Sequence, residues 1–185
     1  MDLAPSLLIS VPHLRDPNFD HSVVLVLEHD ESGSFGLVIN RETEHTLHDF
    51  CALQDLEYKG PPEAKVLFGG PVGTTQGFVL YASPVDLPED RRGTQVLSGL
   101  WFGADRELLA RLSAQAGTSF RLLIGYAGWA PGQLDKEIAS GAWIPRPLDT
   151  KLIFQTPSEE IWHRALEEFG IDPHTIVRVG DGQLN

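Results

Sequence analysis

The sequence predicts an α+β domain whose mixed, largely antiparallel sheet is flanked by a few helices. Strand-like runs outnumber helix-like segments by about two to one, and the two kinds do not alternate as they would in a parallel β-α-β protein. No internal repeat, low-complexity tract or linker divides the 185 residues. We therefore treat residues 1–185 as one domain.

Apolar runs rich in β-branched residues mark the strands of the first half. The run Ser22–Glu28 reads SVVLVLE and suits a buried strand. A polar, glycine-containing turn at Glu31–Ser34 and a second apolar run follow it, and together they predict a β-hairpin. The strands expected in this half are 6–11, 22–28, 35–40, 65–68, 77–82 and 94–97.

Capping signals mark the helices. Thr46 begins a short helix, and Asp105 begins a second helix that Gly117 ends. A proline in the first turn favours a third helix over 133–140. The run Thr156–Glu159 combines an N-cap threonine, a helix-starting proline and a capping-box glutamate, so a last helix follows it. The strands expected between and after these helices are 120–126, 151–155 and 175–179.

The composition argues against several kinds of partner. The chain has 26 acidic and 14 basic residues, which gives a formal net charge of −12. Nucleic-acid affinity comes largely from Lys and Arg that neutralise phosphates, so direct DNA or RNA binding is disfavoured. No run approaches the ~18 apolar residues of a membrane span, and the first residues do not read as a signal peptide. The single cysteine, Cys51, is expected to be a buried core thiol of a cytoplasmic protein.

The motifs in the sequence point away from a metal, a cofactor and a catalytic triad. Gly69–Gly73 follows a strand but lacks the Gly-Lys-Ser/Thr end of a phosphate loop and leads into another strand, which favours a tight turn. His45 and His48 supply only two ligands on one helix face, so no zinc site is expected. No Gly-x-Ser-x-Gly nucleophile elbow occurs. Three further histidines would form a metal cluster only in a favourable strand register: His13, His21 and His29.

The segment from residue 124 to residue 143 carries the main candidate site. A central strand ends in a glycine-rich turn with Trp129, and a helix follows with Gln133 and Glu137 at positions i and i+4 of one face. Trp143 comes just after that helix. Glycines beside a tryptophan at a strand end can hold a flat or polar ligand. The alternative is a packed structural corner in which Gln133 satisfies backbone groups of the turn.

A second candidate is Asn40-Arg41, at the end of the second hairpin strand. Arg41 is expected to pair with a carboxylate, either a neighbouring glutamate or Glu137 across the fold, and the alternative is a surface ion pair of small value. We expect Asn40, Arg41 and the glycines Gly69 and Gly70 to meet the Trp129 corner at a shared sheet edge.

Stretches along most of the chain resemble one known family. The most distinctive is Gly125–Leu134, which reads GYAGWAPGQL, and Glu137 and Trp143 fit the same pattern. Other stretches in the expected order are 6–9, 16–19, 22–24, 28–29, 36–41, 68–72, 77–80 and 161–166. Together they resemble the AlgH/YqgE family of bacterial proteins. The resemblance implies an α+β pseudo-barrel with a bifurcated sheet, and the family's name implies a transcriptional regulator.

The resemblance carries over no catalytic or ligand-binding residues, and the chain departs from the family pattern at its C-terminus, 180–185. Three functions follow as hypotheses. The first is a non-catalytic regulatory protein that binds a small polar ligand or a protein partner at the Trp129 corner. The second is a hydrolase that uses Glu137 or a histidine as general base. The third is a DNA-binding regulator, which the net charge opposes.

Overall fold

The structure is a computed structural model, and it describes residues 3–83, 85–167 and 170. Within this part of the chain there are ten strands and five helices. In chain order they are β1 (Ser6–Ser10), β2 (Val23–Asp30), β3 (Gly33–Val38), β4 (Glu42–Thr46), α1 (Leu47–Leu53), β5 (Lys65–Phe68), β6 (Val72–Tyr81), β7 (Thr94–Leu97), β8 (Leu100–Gly103), α2 (Arg106–Ser113), β9 (Phe120–Trp129), α3 (Gln133–Ala139), β10 (Trp143–Arg146), α4 (Thr150–Gln155) and α5 (Ser158–Glu167). The strand expected at 175–179 lies outside the described residues.

The strands form one curled, mixed sheet, which confirms the predicted fold class. The main path of hydrogen-bonded neighbours is β10-β1-β2-β3-β9-β6-β8-β7, and the remaining pair, β4-β5, joins it through β9. Every pairing is antiparallel except that between β5 and β9. The sheet curls into a half-barrel with helices against its faces.

Strand β9 is where the sheet divides. One edge of β9 pairs with β6. The other edge pairs first with β5, at Leu123 and Ile124, and then with β3, from Ala127 to Trp129. Gly125 stands at the change of partner with a φ of 77°, a conformation that glycine adopts without steric cost. The bifurcated sheet expected from the family resemblance therefore has its fork at Gly125.

The strand alternation sends side chains into cores on both faces. On one face, Leu7, Leu25 and Leu37 belong to a cluster that α4 and α5 cover. On the opposite face, α3 packs over Val24 and Val38, while α1 and α2 cover another cluster that contains Leu122. The described residues contain no helix long and apolar enough to cross a membrane.

Two local predictions were wrong. Residues 151–155 form helix α4, because Asp149 caps it by accepting a hydrogen bond from the Lys151 N–H at 2.9 Å, and because Leu152 and Ile153 bury into the core. The glycine-rich stretch up to Trp129 was expected to be a turn, but it continues β9 because β3 pairs with it there.

Three strands escaped prediction. β4 reads ETEHT, with no apolar residue to reveal it. β8 follows β7 after a two-residue turn, and β10 is an edge strand that contains a proline.

Candidate functional site

A carboxylate joins the aromatic side chains of the predicted corner. Glu137 Oε2 accepts hydrogen bonds from the indole N–H groups of Trp129, at 2.9 Å, and Trp143, at 2.8 Å. Glu137 Oε1 accepts one from the Gln133 amide at 2.9 Å. The Gln133 Oε1 in turn accepts from the Ala130 N–H at 3.0 Å. The end of β9, the helix α3 and the start of β10 thus meet at one side chain, and both indoles are buried.

Phe19 completes the corner, and sequence reasoning missed it. Its ring stacks on Trp129 with 6.0 Å between centroids and meets Trp143 edge-on at 5.5 Å. The loop that carries it turns tightly, since the Asp16 carbonyl accepts from the N–H groups of Phe19 and Asp20. A single aromatic residue inside a polar Asp-Pro-Asn stretch was the available signal.

Asn40 and Arg41 hold this loop from its other side. Arg41 donates hydrogen bonds to the carbonyls of Pro17, Asn18 and Asp20 at 2.9–3.1 Å. Asn40 accepts from the backbone N–H of residue 23 and donates to the carbonyl of residue 21. Arg41 therefore contacts main-chain carbonyls instead of the carboxylates expected from the sequence. The loop of residues 16–21 connects Asn40 and Arg41 to the Trp129 corner.

Gly69 and Gly70 lie beneath the corner, at the fork of the sheet. The Gly69 N–H donates to the Ile124 carbonyl, and the Gly69 carbonyl accepts from β3, both at 2.8 Å. A Cβ on Gly69 would lie 2.2 Å from the Gly125 oxygen, and one on Gly70 would lie 2.2 Å from the Tyr126 carbonyl carbon. These glycines allow two backbones to cross in contact, which matches the tight-turn interpretation.

The predicted site residues therefore fall into three connected groups. Trp129, Gln133, Glu137 and Trp143 meet directly, Asn40 and Arg41 reach them through the 16–21 loop, and Gly69-Gly70 supports the fork. Ligand binding by these residues stays a prediction. The described residues hold no group of three or more His, Cys, Asp or Glu side chains with metal-binding geometry. Cys51 is buried as expected, and burial raises the pKa of its thiol.

A separate apolar groove lies beside α1 on the sheet face that α1 and α2 cover in part. Its volume is about 600 Å³. A second hollow of about 200 Å³ shares Phe50, Gln54 and Gly77 with it and extends it towards α2. The floor consists of buried or half-buried residues: Phe50, Val66, Phe68, Gly77 and Ile124. The exposed residues at the rim are His45, Asp49, Leu53, Gln54, Thr74 and Thr75. We call this surface the α1 groove.

The sequence contained a signal for the α1 groove in helix α1. Leu47 and Cys51 bury one side of the helix, while Phe50 and Leu53 are apolar on another side. Leu53 is 81% exposed, so a large apolar side chain stands at the rim. A short helix with two apolar sides has more apolar surface than one sheet contact can bury.

Asp49 gives the rim of the α1 groove a charged group. Its pKa is lowered, first by the hydrogen bond with the His48 side chain and then by the hydrogen bond with Thr46. The His48 Nδ1 lies 3.2 Å from the Asp49 carboxylate, and both side chains are exposed. Asp49 is therefore ionised at neutral pH.

Comparison with known proteins decides the family. Residues 7–174 match the family model DUF179, described as AlgH-like. A UPF0301 protein of Myxococcus xanthus is 41% identical over 177 residues, which cover 95% of this chain and 96% of that relative. The chain belongs to the AlgH-like family. The family resemblance inferred from the sequence is thereby confirmed.

Solved structures of similar proteins agree with this AlgH-like fold. The solution structure of AlgH from Pseudomonas aeruginosa matches with a TM-score of 0.72 and 30% identity, covering 100% of this chain and 96% of that one. A crystal structure of a protein from Corynebacterium diphtheriae matches with a TM-score of 0.69 and 24% identity, covering 89% of this chain and 85% of that one. The second likeness concerns the fold alone.

Proposed function

We propose that this AlgH-like protein is a non-catalytic binding protein of regulatory type that takes an apolar group of its partner into the α1 groove. The observation that carries the proposal is the groove itself. It offers about 600 Å³ above a mostly apolar floor, and ligand sites usually measure roughly 300–1,000 Å³ with a few polar groups around an apolar lining. The proposal places the protein in the cytoplasm, in keeping with its single buried thiol.

The contacts of the Glu137 carboxylate favour a structural role over that of a general base. A general base needs an acceptor position within reach of a substrate proton or a water molecule, and three side-chain donors occupy three of the roughly four positions that this carboxylate offers. One of its oxygens accepts from two indoles and the other accepts from Gln133. Its contacts are those of a structural centre that fixes β9, α3 and β10 relative to one another.

Titration with the neutral fluorescent dye N-phenyl-naphthylamine tests the α1 groove directly. The wild-type protein is expected to bind the dye saturably. Gly77→Val should weaken binding roughly tenfold or more, which corresponds to about 1.4 kcal/mol, because the new side chain occupies the floor. A Cβ at Gly77 would make ordinary contacts of 3.6 Å and 3.8 Å with Ile124 and Leu122, so the strand has room for the first carbon of the new side chain.

Two further variants make the dye result specific. Leu53→Gln removes an exposed apolar group from the rim without emptying the core and should also weaken binding. Gln95→Val adds the same valine at an exposed position of β7 that does not line the groove, and should leave binding unchanged. If the dye bound Gly77→Val as tightly as wild type, with unchanged circular dichroism, the α1 groove would be the wrong site.

A further inference from the structure

We propose that the occupant of the α1 groove is an amphipathic helix of a partner protein, with an apolar face flanked by lysine and arginine. This inference rests on the proposed function and adds the class of partner. It stands on two observations: the extended form of the groove and the charge of the groups around it.

The form of the groove favours several apolar side chains over one compact ligand. The hollow of about 600 Å³ and the hollow of about 200 Å³ are neighbours that share the lining residues Phe50, Gln54 and Gly77. Together they run from Phe68 on β5 to Leu109 on α2. An amphipathic helix fills such a trough with residues at i, i+3, i+4 and i+7. The exposed Leu53 at the rim adds apolar surface that a protein partner would bury.

The charged residues around the groove favour a basic partner. Asp49 and Asp105 line the two hollows, and Asp55 directly follows the lining residue Gln54; all three are exposed. Beside these three carboxylates the lining holds one arginine, Arg106, which stays cationic while it donates a hydrogen bond to the Gln54 carbonyl at 2.6 Å, and one histidine, His45. The whole chain carries a formal net charge of −12. Long-range steering therefore favours a cationic partner and disfavours an anionic lipid surface or a nucleic acid.

Selection from a random peptide-display library tests the partner class without assuming its sequence. The wild-type protein is the target. Peptides that also bind the Gly77→Val variant are discarded, because they bind outside the α1 groove. Enriched peptides are expected to share apolar residues at helical spacing with Lys or Arg on both flanks. Enrichment of acidic peptides, of peptides without helical spacing or of none would overturn the inference.

A charge variant then separates local from global electrostatics. Asp49→Asn with Asp55→Asn removes one rim charge and one charge next to the rim residue Gln54, and asparagine suits the left-handed φ of 54° at Asp55. This double variant should weaken an enriched peptide roughly fivefold or more in fluorescence anisotropy and reduce its salt dependence. Glu31→Gln with Glu159→Gln removes the same charge at exposed sites outside the groove lining. Equal weakening by both double variants would contradict a rim contact.

The dye experiment tests the groove and the peptide experiment tests its partner, so the two proposals can be contradicted separately. If Gly77→Val abolishes saturable dye binding but no basic helical peptide is enriched, the α1 groove is a binding site and the helical partner is wrong. If the protein neither binds the dye nor enriches a basic helical peptide, both proposals are contradicted. Binding of wild-type protein to anionic vesicles or to duplex DNA, blocked by Gly77→Val, would replace the helix by that other partner and overturn the inference.

Discussion

At the scale of single residues, Glu137 shows why the Trp129 corner was visible in the sequence. Gln133 and Glu137 are one helical turn apart, and Trp129 and Trp143 lie just before and just after that helix. Local spacing alone therefore places Gln133 beside Glu137 and keeps both tryptophans near them along the chain. Phe19 comes from more than a hundred residues away in sequence, and only the sheet pairing places it there. The sequence offered no local pattern for that contact.

Glu137→Gln is expected to destabilise the fold by about 2 kcal/mol, since hydrogen bonds to a charged group contribute roughly 1.5–3 kcal/mol. The amide retains one acceptor and places an NH₂ group against a neighbouring donor. Urea unfolding followed by tryptophan fluorescence measures the loss. Glu31→Gln, in the exposed turn between β2 and β3, should change stability by less than about 0.5 kcal/mol. An equal effect of the two substitutions would show that Glu137 is not a structural centre.

Gly70→Ala tests the backbone crossing at the fork. Gly70 has a φ of 149°, and a Cβ there would overlap the Tyr126 backbone. We expect the free energy of unfolding to fall by about 3 kcal/mol or more, or the protein not to fold. Gly99→Ala is the matched control, because Gly99 also has a positive φ, of 80°, but no atom within 4 Å of its Cβ position. In thermal unfolding, the control should lose only about 1 kcal/mol of its free energy of unfolding.

At the scale of elements, Arg41 makes the largest set of side-chain hydrogen bonds to the 16–21 loop. Arg41 donates to three of its carbonyls, and the guanidinium also lies over the Phe68 ring at 5.8 Å. The planar fork of arginine can serve several acceptors at once. The loop in turn presents Phe19 to the tryptophans, so its position affects the packing of the whole corner.

Arg41→Ala is expected to free this loop while the sheet stays folded. Amide hydrogen exchange at Phe19 and Asp20 should accelerate roughly tenfold or more, because opening the loop no longer breaks the arginine's hydrogen bonds. Exchange in the buried strand β2 should not change. Arg164→Ala, which removes only an exposed ion pair with Glu160, serves as the control. Unchanged exchange at Phe19 would mean that the loop holds its position without Arg41.

Element prediction succeeded where pattern and capping agreed and failed where neighbours decided the structure. The long apolar runs of β2 and β9 and the caps of α1 and α2 are local signals, and each element was found. The segment of α4 is as apolar as a strand, and the Asp149 cap together with packing against the core made it a helix. The α1 groove was missed because an unfilled surface is a property of the assembled sheet.

At the scale of the whole molecule, the net charge of −12 sets which partners approach. We expect no shifted band in a gel assay of this protein with a 30-bp duplex at about 150 mM salt, up to about 10 μM protein, since nonspecific binding depends on phosphate neutralisation by Lys and Arg. Arg91 and Arg92 form the one adjacent basic pair in the sequence, and both lie near glutamates in the fold. A specific shift at nanomolar protein would refute this electrostatic expectation.

The late position of β9 in the sequence also affects how the sheet forms during synthesis. A ribosome releases β3, β5 and β6 before residues 120–129 exist, although all three strands hydrogen-bond to β9 in the finished sheet. Until β9 emerges, the edges that await it face water and can pair with other nascent chains. Any fragment that stops short of residue 120 therefore lacks the strand that joins its parts.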